Sequence, residues 1–253
     1  MILDNFQLNG RVAMVTGCNT GLGQGMALAL AQAGADIVGV NVSDPAQTRD
    51  AVTALGRRFL DVRANLSDTS ALADVVQQAL GLSGRLDILI NNAGIIRRTD
   101  AIDFSEQDWD EVIDLNLKTV FFLSQAVARQ FIAQGGGGKI INVASMLSFQ
   151  GGVRVPSYTA SKSAVMGITR ALANEWAAQG INVNAIAPGY MATDNTAALR
   201  ADAARNAAIL ERIPAKRWGT PEDLAGPVVF LASSASDYVN GYTVAVDGGW
   251  LAR

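Results

Sequence analysis

The sequence contains no histidine and one cysteine, and both shortages restrict its chemistry. Without histidine it lacks the commonest general base, which excludes the usual serine and cysteine triads and most zinc sites. A lone cysteine, Cys18, cannot form an intrachain disulfide, which indicates a reducing compartment such as the cytoplasm. Acid–base chemistry must therefore use tyrosine, lysine, aspartate or glutamate, and we expect no metal site.

Long apolar runs and basic clusters are missing as well. No stretch reaches the roughly 18 uninterrupted apolar residues of a membrane span, and residues 1–10 do not resemble a secretory signal. A net charge of −3 without a long basic run argues against nucleic acid or an anionic membrane as partner. We therefore expect a soluble, cytoplasmic protein that binds a small molecule.

What is present is a regular alternation of short apolar runs and segments of helical periodicity. The 253 residues, 49% of them hydrophobic, suffice for one large core, so we expect a single domain over 1–253. The alternation predicts an α/β, Rossmann-type, doubly wound parallel sheet of about seven strands with helices on both faces. The predicted strands are 12–15, 37–40, 59–64, 86–90, 139–143, 181–187 and 242–246. Residues 188–217, with weaker strand signals, are predicted to form a lid over the site.

A glycine-rich turn follows the first predicted strand and opens into the first predicted helix. It runs from Gly17 through Gly21 to Gly23. Glycines there let the backbone approach a pyrophosphate, whose charge is stabilised by the helix N-terminus. The spacing is G-x-x-x-G-x-G rather than G-x-G-x-x-G, so the turn alone is also compatible with a tight connection. Its place in the first βαβ unit favours nucleotide binding.

A second constellation consists of Tyr158 and Lys162, four residues apart on one predicted helix, and Ser145, which follows the preceding strand. A phenol is a poor base at neutral pH, but a neighbouring ammonium favours its ionised form. Ser145 could then hydrogen-bond a substrate oxygen while Tyr158 exchanges the proton. Without the glycine turn, the same pair would be interpreted as a solvated helix face.

Together these motifs resemble the short-chain dehydrogenase/reductase family over essentially the whole chain. The resemblance also includes the segments 91–94, 188–189 and 246–249. It implies a dehydrogenase in which Asn116, Ser145, Tyr158 and Lys162 act together, with Asn116 holding a water of a proton relay through Lys162. The nucleotide-binding residues predicted from the motifs and the resemblance are Gly17, Asn19, Thr20, Gly21, Leu22, Gly23, Asn41, Val42, Asn65, Leu66, Asn92, Ala93, Gly94, Tyr158, Lys162, Pro188, Gly189, Met191 and Thr193.

Three of these positions carry more detailed implications. The resemblance implies that Lys162 bonds the nicotinamide ribose and that Thr193 meets the carboxamide. The family's usual aspartate after the third strand is replaced by Asn65. An amide offers both a donor and an acceptor, so we expect nucleotide binding to survive this replacement.

The end of the second strand indicates which nucleotide is used. An acidic residue there binds the ribose 2′-hydroxyl of NAD, whereas an arginine accepts the extra phosphate of NADP. The chain has Asp44 in this turn and no Arg or Lys at 18–20 or 41–44. We therefore expect NAD, with NADP less favoured because a local cation is missing and Asp44 would repel the phosphate.

Segments 95–98 and 145–158 flank the predicted site and carry three arginines. Within the family they resemble those of sugar-acid dehydrogenases, and a sugar acid needs a cation for its carboxylate. Arg154 is the first candidate for that role and Arg98 the second, although each is as compatible with a surface or subunit contact. The resemblance also implies a homotetramer.

Other functions stay open at this point. The substrate could be another polyol, gluconate, or an acyl-thioester ketone reduced with NADPH, which the missing cation disfavours. A nucleotide-binding regulator without catalysis could keep the same fold. The presence of Asn116, Ser145, Tyr158 and Lys162 together argues against that regulator. A purely structural protein would have no reason to combine this tetrad with the glycine turn.

Overall fold

Seven parallel strands form one sheet in the order β3-β2-β1-β4-β5-β6-β7, in a computed structural model that describes all 253 residues. The strands are β1 Val12–Thr16, β2 Asp36–Asn41, β3 Phe59–Arg63, β4 Ile88–Asn91, β5 Gly138–Val143, β6 Ile181–Pro188 and β7 Thr243–Val246. Each predicted strand is present, with ends that differ by up to two residues. The Rossmann-type doubly wound fold is thereby confirmed.

Helices cover both faces of the sheet. They are α1 Gly21–Gln32, α2 Ala46–Ala54, α3 Leu72–Leu80, α4 Glu106–Ile113, α5 Thr119–Gln134, α6 Pro156–Trp176, α7 Ala197–Ala201, α8 Ala203–Arg212 and α9 Ala225–Ala232. Pro156 at the first position of α6 suits a helix start, because its missing N–H has no partner there in any case. None of the helices combines the length and the apolarity that a membrane span requires.

The core lies in two layers, one on each side of the sheet. Alternate residues of β1 serve both: Ala13 and Val15 pack with α1 and α9, whereas Val12 and Met14 pack with α3, α5 and α6. This two-sided burial explains the continuous apolar strands, since a parallel sheet has no solvent-exposed face. Each fully buried aliphatic side chain contributes about 1.5–3 kcal/mol to stability.

Strand order reverses between β1 and its two neighbours, β2 and β4. At such a switch point the loops after adjacent strands diverge and leave a crevice at the carboxyl ends of the strands. The loops after β1 and β4 meet there. The segment 188–217 adds the 3₁₀ turn Asp194–Thr196 and the helices α7 and α8.

Candidate active site

The loop after β1 adopts a backbone conformation that depends on its glycines. Gly17 and Gly21 have φ values of +63° and +58°, a region that side chains disfavour. Gly23 lies so close to Gly17 that an added Cβ would overlap the Gly17 carbonyl oxygen. The turn can therefore lie flat beneath a phosphate group at the N-terminus of α1.

The loop after β4 is joined to this turn by hydrogen bonds. The Asn92 amide donates to the carbonyl oxygens of Thr16 and Gly17, at 2.9 and 3.0 Å. In return, the Thr16 hydroxyl accepts the backbone N–H groups of Asn92 and Ala93, both at 2.9 Å. The two loops consequently form one rigid edge of the crevice, and Thr16, at the end of β1, is a residue that sequence reasoning missed.

Asn116 is fully buried and lies in a π-helical turn, Asp114–Lys118, that connects α4 to α5. Its side chain accepts the Ile95 N–H at 2.9 Å and donates to the Ile95 carbonyl at 2.8 Å. The chain is thus helical from Glu106 to Gln134 with one π-turn inside it, and such π-turns are frequent at functional sites. Asn116 holds the chain just after Gly94, and it lies behind the crevice wall.

Ser145, Tyr158 and Lys162 come together beside this wall. Ser145 follows β5, and its hydroxyl accepts the Leu147 N–H at 3.1 Å. Lys162 lies 5.7 Å from the centre of the Tyr158 ring, and its ammonium donates to the Val143 carbonyl at 2.6 Å. The four-residue spacing on α6 thus places both side chains at one site.

Burial acts on both titratable groups in this site. It raises the pKa of Tyr158, with the Ser145 hydrogen bond and the Arg98 charge as weaker opposing causes. It lowers the pKa of Lys162 from 10.5 to about 8. Desolvation is thus the dominant influence on the pKa of both groups, and the expected effect of the Lys162 ammonium on Tyr158 stays a prediction.

One cavity of about 700 Å³ joins the glycine turn to these residues. Most of the predicted nucleotide-binding residues line it: Gly17, Asn19, Thr20, Gly21, Leu22, Gly23, Asn41, Val42, Asn65, Leu66, Asn92, Ala93, Gly94, Tyr158, Lys162, Met191 and Thr193. Pro188 and Gly189 do not line the cavity, and Gly189 packs against Asp247 instead. Asn116 does not line it either, because it lies behind the cavity wall.

The residues present fit a dinucleotide. An added Cβ at Gly23 would close the turn, and the buried side-chain oxygen of Asn41 lines the cavity without a hydrogen-bond partner. An unpaired buried acceptor is costly, and a ribose hydroxyl is the kind of donor that would satisfy it.

Comparison with known proteins agrees with this geometry. A family model described as "Enoyl-(Acyl carrier protein) reductase" matches residues 17–251. Proteins named 2-dehydro-3-deoxy-D-gluconate 5-dehydrogenase from Dickeya dadantii and Escherichia coli are 71% and 69% identical, over all of both chains. A gluconate 5-dehydrogenase from Burkholderia cenocepacia, solved with NADP and tartrate, is 38% identical over all of both chains with a TM-score of 0.95.

The chain belongs to the short-chain dehydrogenase/reductase family. It is an oxidoreductase that acts on a CH–OH group. The resemblance stated from the motifs is thus confirmed.

In this short-chain dehydrogenase, the cavity beyond Tyr158 is strongly basic. Five basic side chains line the cavity against a single carboxylate, Asp194. They are Arg98, Arg154, Lys162, Arg205 and Arg212. The two arginines of α8 were not among the sequence-based candidates, although the spacing 205, 209, 212 places two arginines and a buried isoleucine on one helix face.

In this dehydrogenase, Asp44 makes ion pairs that were not predicted from the sequence. Asp44 follows β2 as expected, but its carboxylate meets Arg63 at 2.9 Å and Arg49 at 3.6 Å. Cations are therefore present near this turn, brought there from β3 and α2 rather than from the turn itself. Arg63 also pairs with Asp61 at 2.5 Å, so two carboxylates already hold it.

Proposed function

We propose that this protein interconverts 2-dehydro-3-deoxy-D-gluconate and 2,5-diketo-3-deoxygluconate (3-deoxy-D-glycero-2,5-hexodiulosonate) by NAD-dependent hydride transfer at C5, in the metabolism of uronate- and pectin-derived sugar acids. The observation that carries the proposal is one cavity joining the glycine turn, Ser145, Tyr158, Lys162 and an excess of arginines. A polar anionic substrate suits such a lining, because guanidinium groups bind carboxylates by charge-assisted hydrogen bonds.

The chemistry divides among three side chains. A bound nicotinamide supplies or accepts the hydride. The Tyr158 hydroxyl exchanges the proton with the reacting oxygen, and the Ser145 hydroxyl donates a hydrogen bond to the same oxygen. The Lys162 ammonium, which spends one donor on Val143, has two left for the nicotinamide ribose and for restoring the Tyr158 proton.

In this proposal, Asn116 positions the neighbouring chain segment. Its two bonds to Ile95 fix the segment after Gly94, against which the nicotinamide would lie. The water of the family's proton relay would then lie between this turn and Lys162.

The relatives support the substrate class. Both enterobacterial relatives carry the name of this activity, at 71% and 69% identity. The Burkholderia structure holds tartrate, which is a hydroxy-dicarboxylate. Gluconate is the nearest alternative substrate, because that structure is of a gluconate 5-dehydrogenase.

NAD is the proposed nucleotide, with NADP second. Asn41 and Val42 line the adenosine end of the cavity, and no arginine or lysine from β1, β2 or the turns after them does so. The nearby Arg63 is held by two carboxylates. The Burkholderia relative binds NADP, so both nucleotides need to be measured.

We also propose that 1–253 acts as a single domain, that 188–217 is the substrate lid, and that four chains assemble in the cytoplasm. Met191, Thr193, Arg205 and Arg212 of the lid segment line the cavity. Exposed Trp109 and Phe122 on α4 and α5 support an interface there.

The experiment is a spectrophotometric assay of the reduced nicotinamide. Purified protein is supplied with NADH or NADPH and 2,5-diketo-3-deoxygluconate, and in reverse with NAD⁺ or NADP⁺ and 2-dehydro-3-deoxygluconate. We expect turnover with NAD(H), and a higher kcat/KM for these two sugar acids than for gluconate and neutral polyols. Activity restricted to polyols, gluconate or acyl thioesters would overturn the substrate.

A further inference from the structure

One of the two α8 arginines, Arg212, contacts Trp250 in the cavity lining. Arg212 stacks on Trp250, with its guanidinium carbon 3.9 Å from the ring centre, and donates to the Gln150 side chain at 3.1 Å. One turn earlier on the same face, Ile209 packs with Trp250 and Met146, the residue after Ser145. The helix face is therefore fixed relative to the reacting centre.

Neither α8 arginine is neutralised by the protein. No carboxylate lies within 4.0 Å of the guanidinium group of Arg205 or Arg212, and the nearby Asp202 carboxylate accepts only the Arg205 backbone N–H, at 3.1 Å. Both line the same cavity as Tyr190, whose ring centre lies 4.8 Å from that of Trp250, the residue against which Arg212 stacks. Two guanidinium groups without a carboxylate partner therefore line one cavity, where a bound anion would pair with both.

The other two arginines of the cavity are placed differently. Arg154 already pairs with Asp100 at 3.0 Å, so its charge is partly used. Arg98 lines the cavity and donates to the Asn195 carbonyl at 3.3 Å, and its charge acts to lower the pKa of Tyr158. In a substrate reduced at C5, the C1 carboxylate is four carbon–carbon bonds away, about 5 Å in an extended chain. The carboxylate group therefore needs a cation beyond the reacting end.

We propose that Arg212, assisted by Arg205, binds the substrate carboxylate and thereby makes this enzyme selective for sugar acids over neutral polyols. This inference rests on the proposed function, of which it specifies one contact. It replaces Arg154 as the first candidate for that role. Trp250 holds the guanidinium plane from one side, so the carboxylate approaches the edge that Gln150 leaves free.

The test is the variant Arg212→Gln, with Arg212→Lys and Arg205→Gln beside it. Loss of a charge-assisted contact predicts a rise of about 10- to 100-fold in KM for the sugar acid, with kcat changed less than the KM. Arg212→Lys keeps the charge but loses the planar fork, so its KM falls between those of the wild type and Arg212→Gln. The Kd for NADH, measured by fluorescence, is expected to stay at the wild-type value.

Glu211→Gln is the matched control, because it removes a charge from the neighbouring position of α8, outside the cavity lining. An unchanged KM in Arg212→Gln, or a rise equalled by Glu211→Gln, would overturn the inference. A fallen kcat at constant KM would also overturn it, because it would indicate a role in the chemical step.

A second measurement separates this inference from the proposed function. Thermal stabilisation of the NADH complex is measured with gluconate, tartrate, sorbitol and threitol. Stabilisation by the acids alone, lost in Arg212→Gln, supports the carboxylate site even if the C5 ketose is not turned over. Equal stabilisation by acids and neutral polyols in the wild type would overturn the carboxylate site even if the ketose is turned over.

Discussion

At the scale of single residues, burial shifts the two titratable groups of the site in opposite directions. It favours the neutral form of both, so the pKa of Tyr158 rises and that of Lys162 falls. A protonated phenol at neutral pH is a proton donor, which suits reduction of a ketone. The spacing of Tyr158 and Lys162 predicts their proximity, but it carries no information on desolvation, which depends on the surrounding fold.

Replacing Tyr158 by Phe removes only a hydroxyl. We expect kcat to fall by at least about 100-fold, the lower range for loss of a general acid, while the melting temperature stays near the wild-type value. NADH binding, followed by fluorescence, serves as the control for a folded site. Substantial residual turnover would contradict the role of Tyr158.

Burial lowers the pKa of Lys162 from 10.5 to about 8. The unfolded chain then binds more protons than the native one between about pH 8 and 10.5, so this group makes stability rise with pH across that window, by up to about 3 kcal/mol. The chain has only four lysines, so NMR of the ε-carbons resolves the titration. One resonance should titrate near pH 8 and be absent in Lys162→Met; four resonances near 10.5 would contradict the burial effect.

At the scale of elements, two connections decide where the site lies. The turn between β1 and α1 lines the cavity, and the π-turn between α4 and α5 holds Asn116 against Ile95, which also lines it. Sequence periodicity indicated the first connection through its glycines. It could not show the second, because a π-turn adds one residue to a helix without breaking its apolar pattern, as the exposed and buried positions around Asn116 illustrate.

Gly23→Ala tests the β1–α1 connection. The new Cβ would overlap the Gly17 carbonyl, so we expect loss of detectable NADH binding and a lower melting temperature. Gly226→Ala in α9 is the matched control, since its Cβ would meet open space and alanine favours a helix over glycine by about 1 kcal/mol. NADH affinity equal to the wild type in Gly23→Ala would show that the close approach is not needed.

The sequence was informative about those parts of the site that follow strands directly. Gly17, Asn92 and Ser145 could be located because each follows a strand, and parallel strands end at one edge. Arg212 and Trp250 could not be paired in advance, because 38 residues separate them in the chain and only the docking of α8 brings them together. For the same reason, the sequence could not predict that Arg63 pairs with Asp44.

At the scale of the whole molecule, charge and apolar surface are unevenly distributed. The chain carries a net charge of −3, yet its cavity is lined by five basic side chains and one acidic side chain. Such a cavity attracts anions in a salt-dependent manner although the protein as a whole is acidic. Large apolar side chains stand exposed elsewhere, among them Phe122 at 42% and Tyr242 at 63%.

A homotetramer would cover part of this apolar surface. Phe122→Glu should shift the sedimentation coefficient from that of four chains to that of two or one, because a buried unpaired charge opposes association. The unfolding of the separated chain should change little, since Phe122 is exposed there. A wild-type protein that sediments as a single chain would contradict the assembly.

The hydrogen bonds between Thr16, Gly17, Asn92 and Ala93 join protein groups only and need no contribution from a nucleotide. A dinucleotide therefore binds to loops that these bonds already hold in place. Ordering the loops then adds little to the entropic cost of binding. Encounter with the nucleotide should therefore proceed in one kinetic phase whose rate is proportional to nucleotide concentration, whereas any slow isomerisation belongs to the helices of the lid segment.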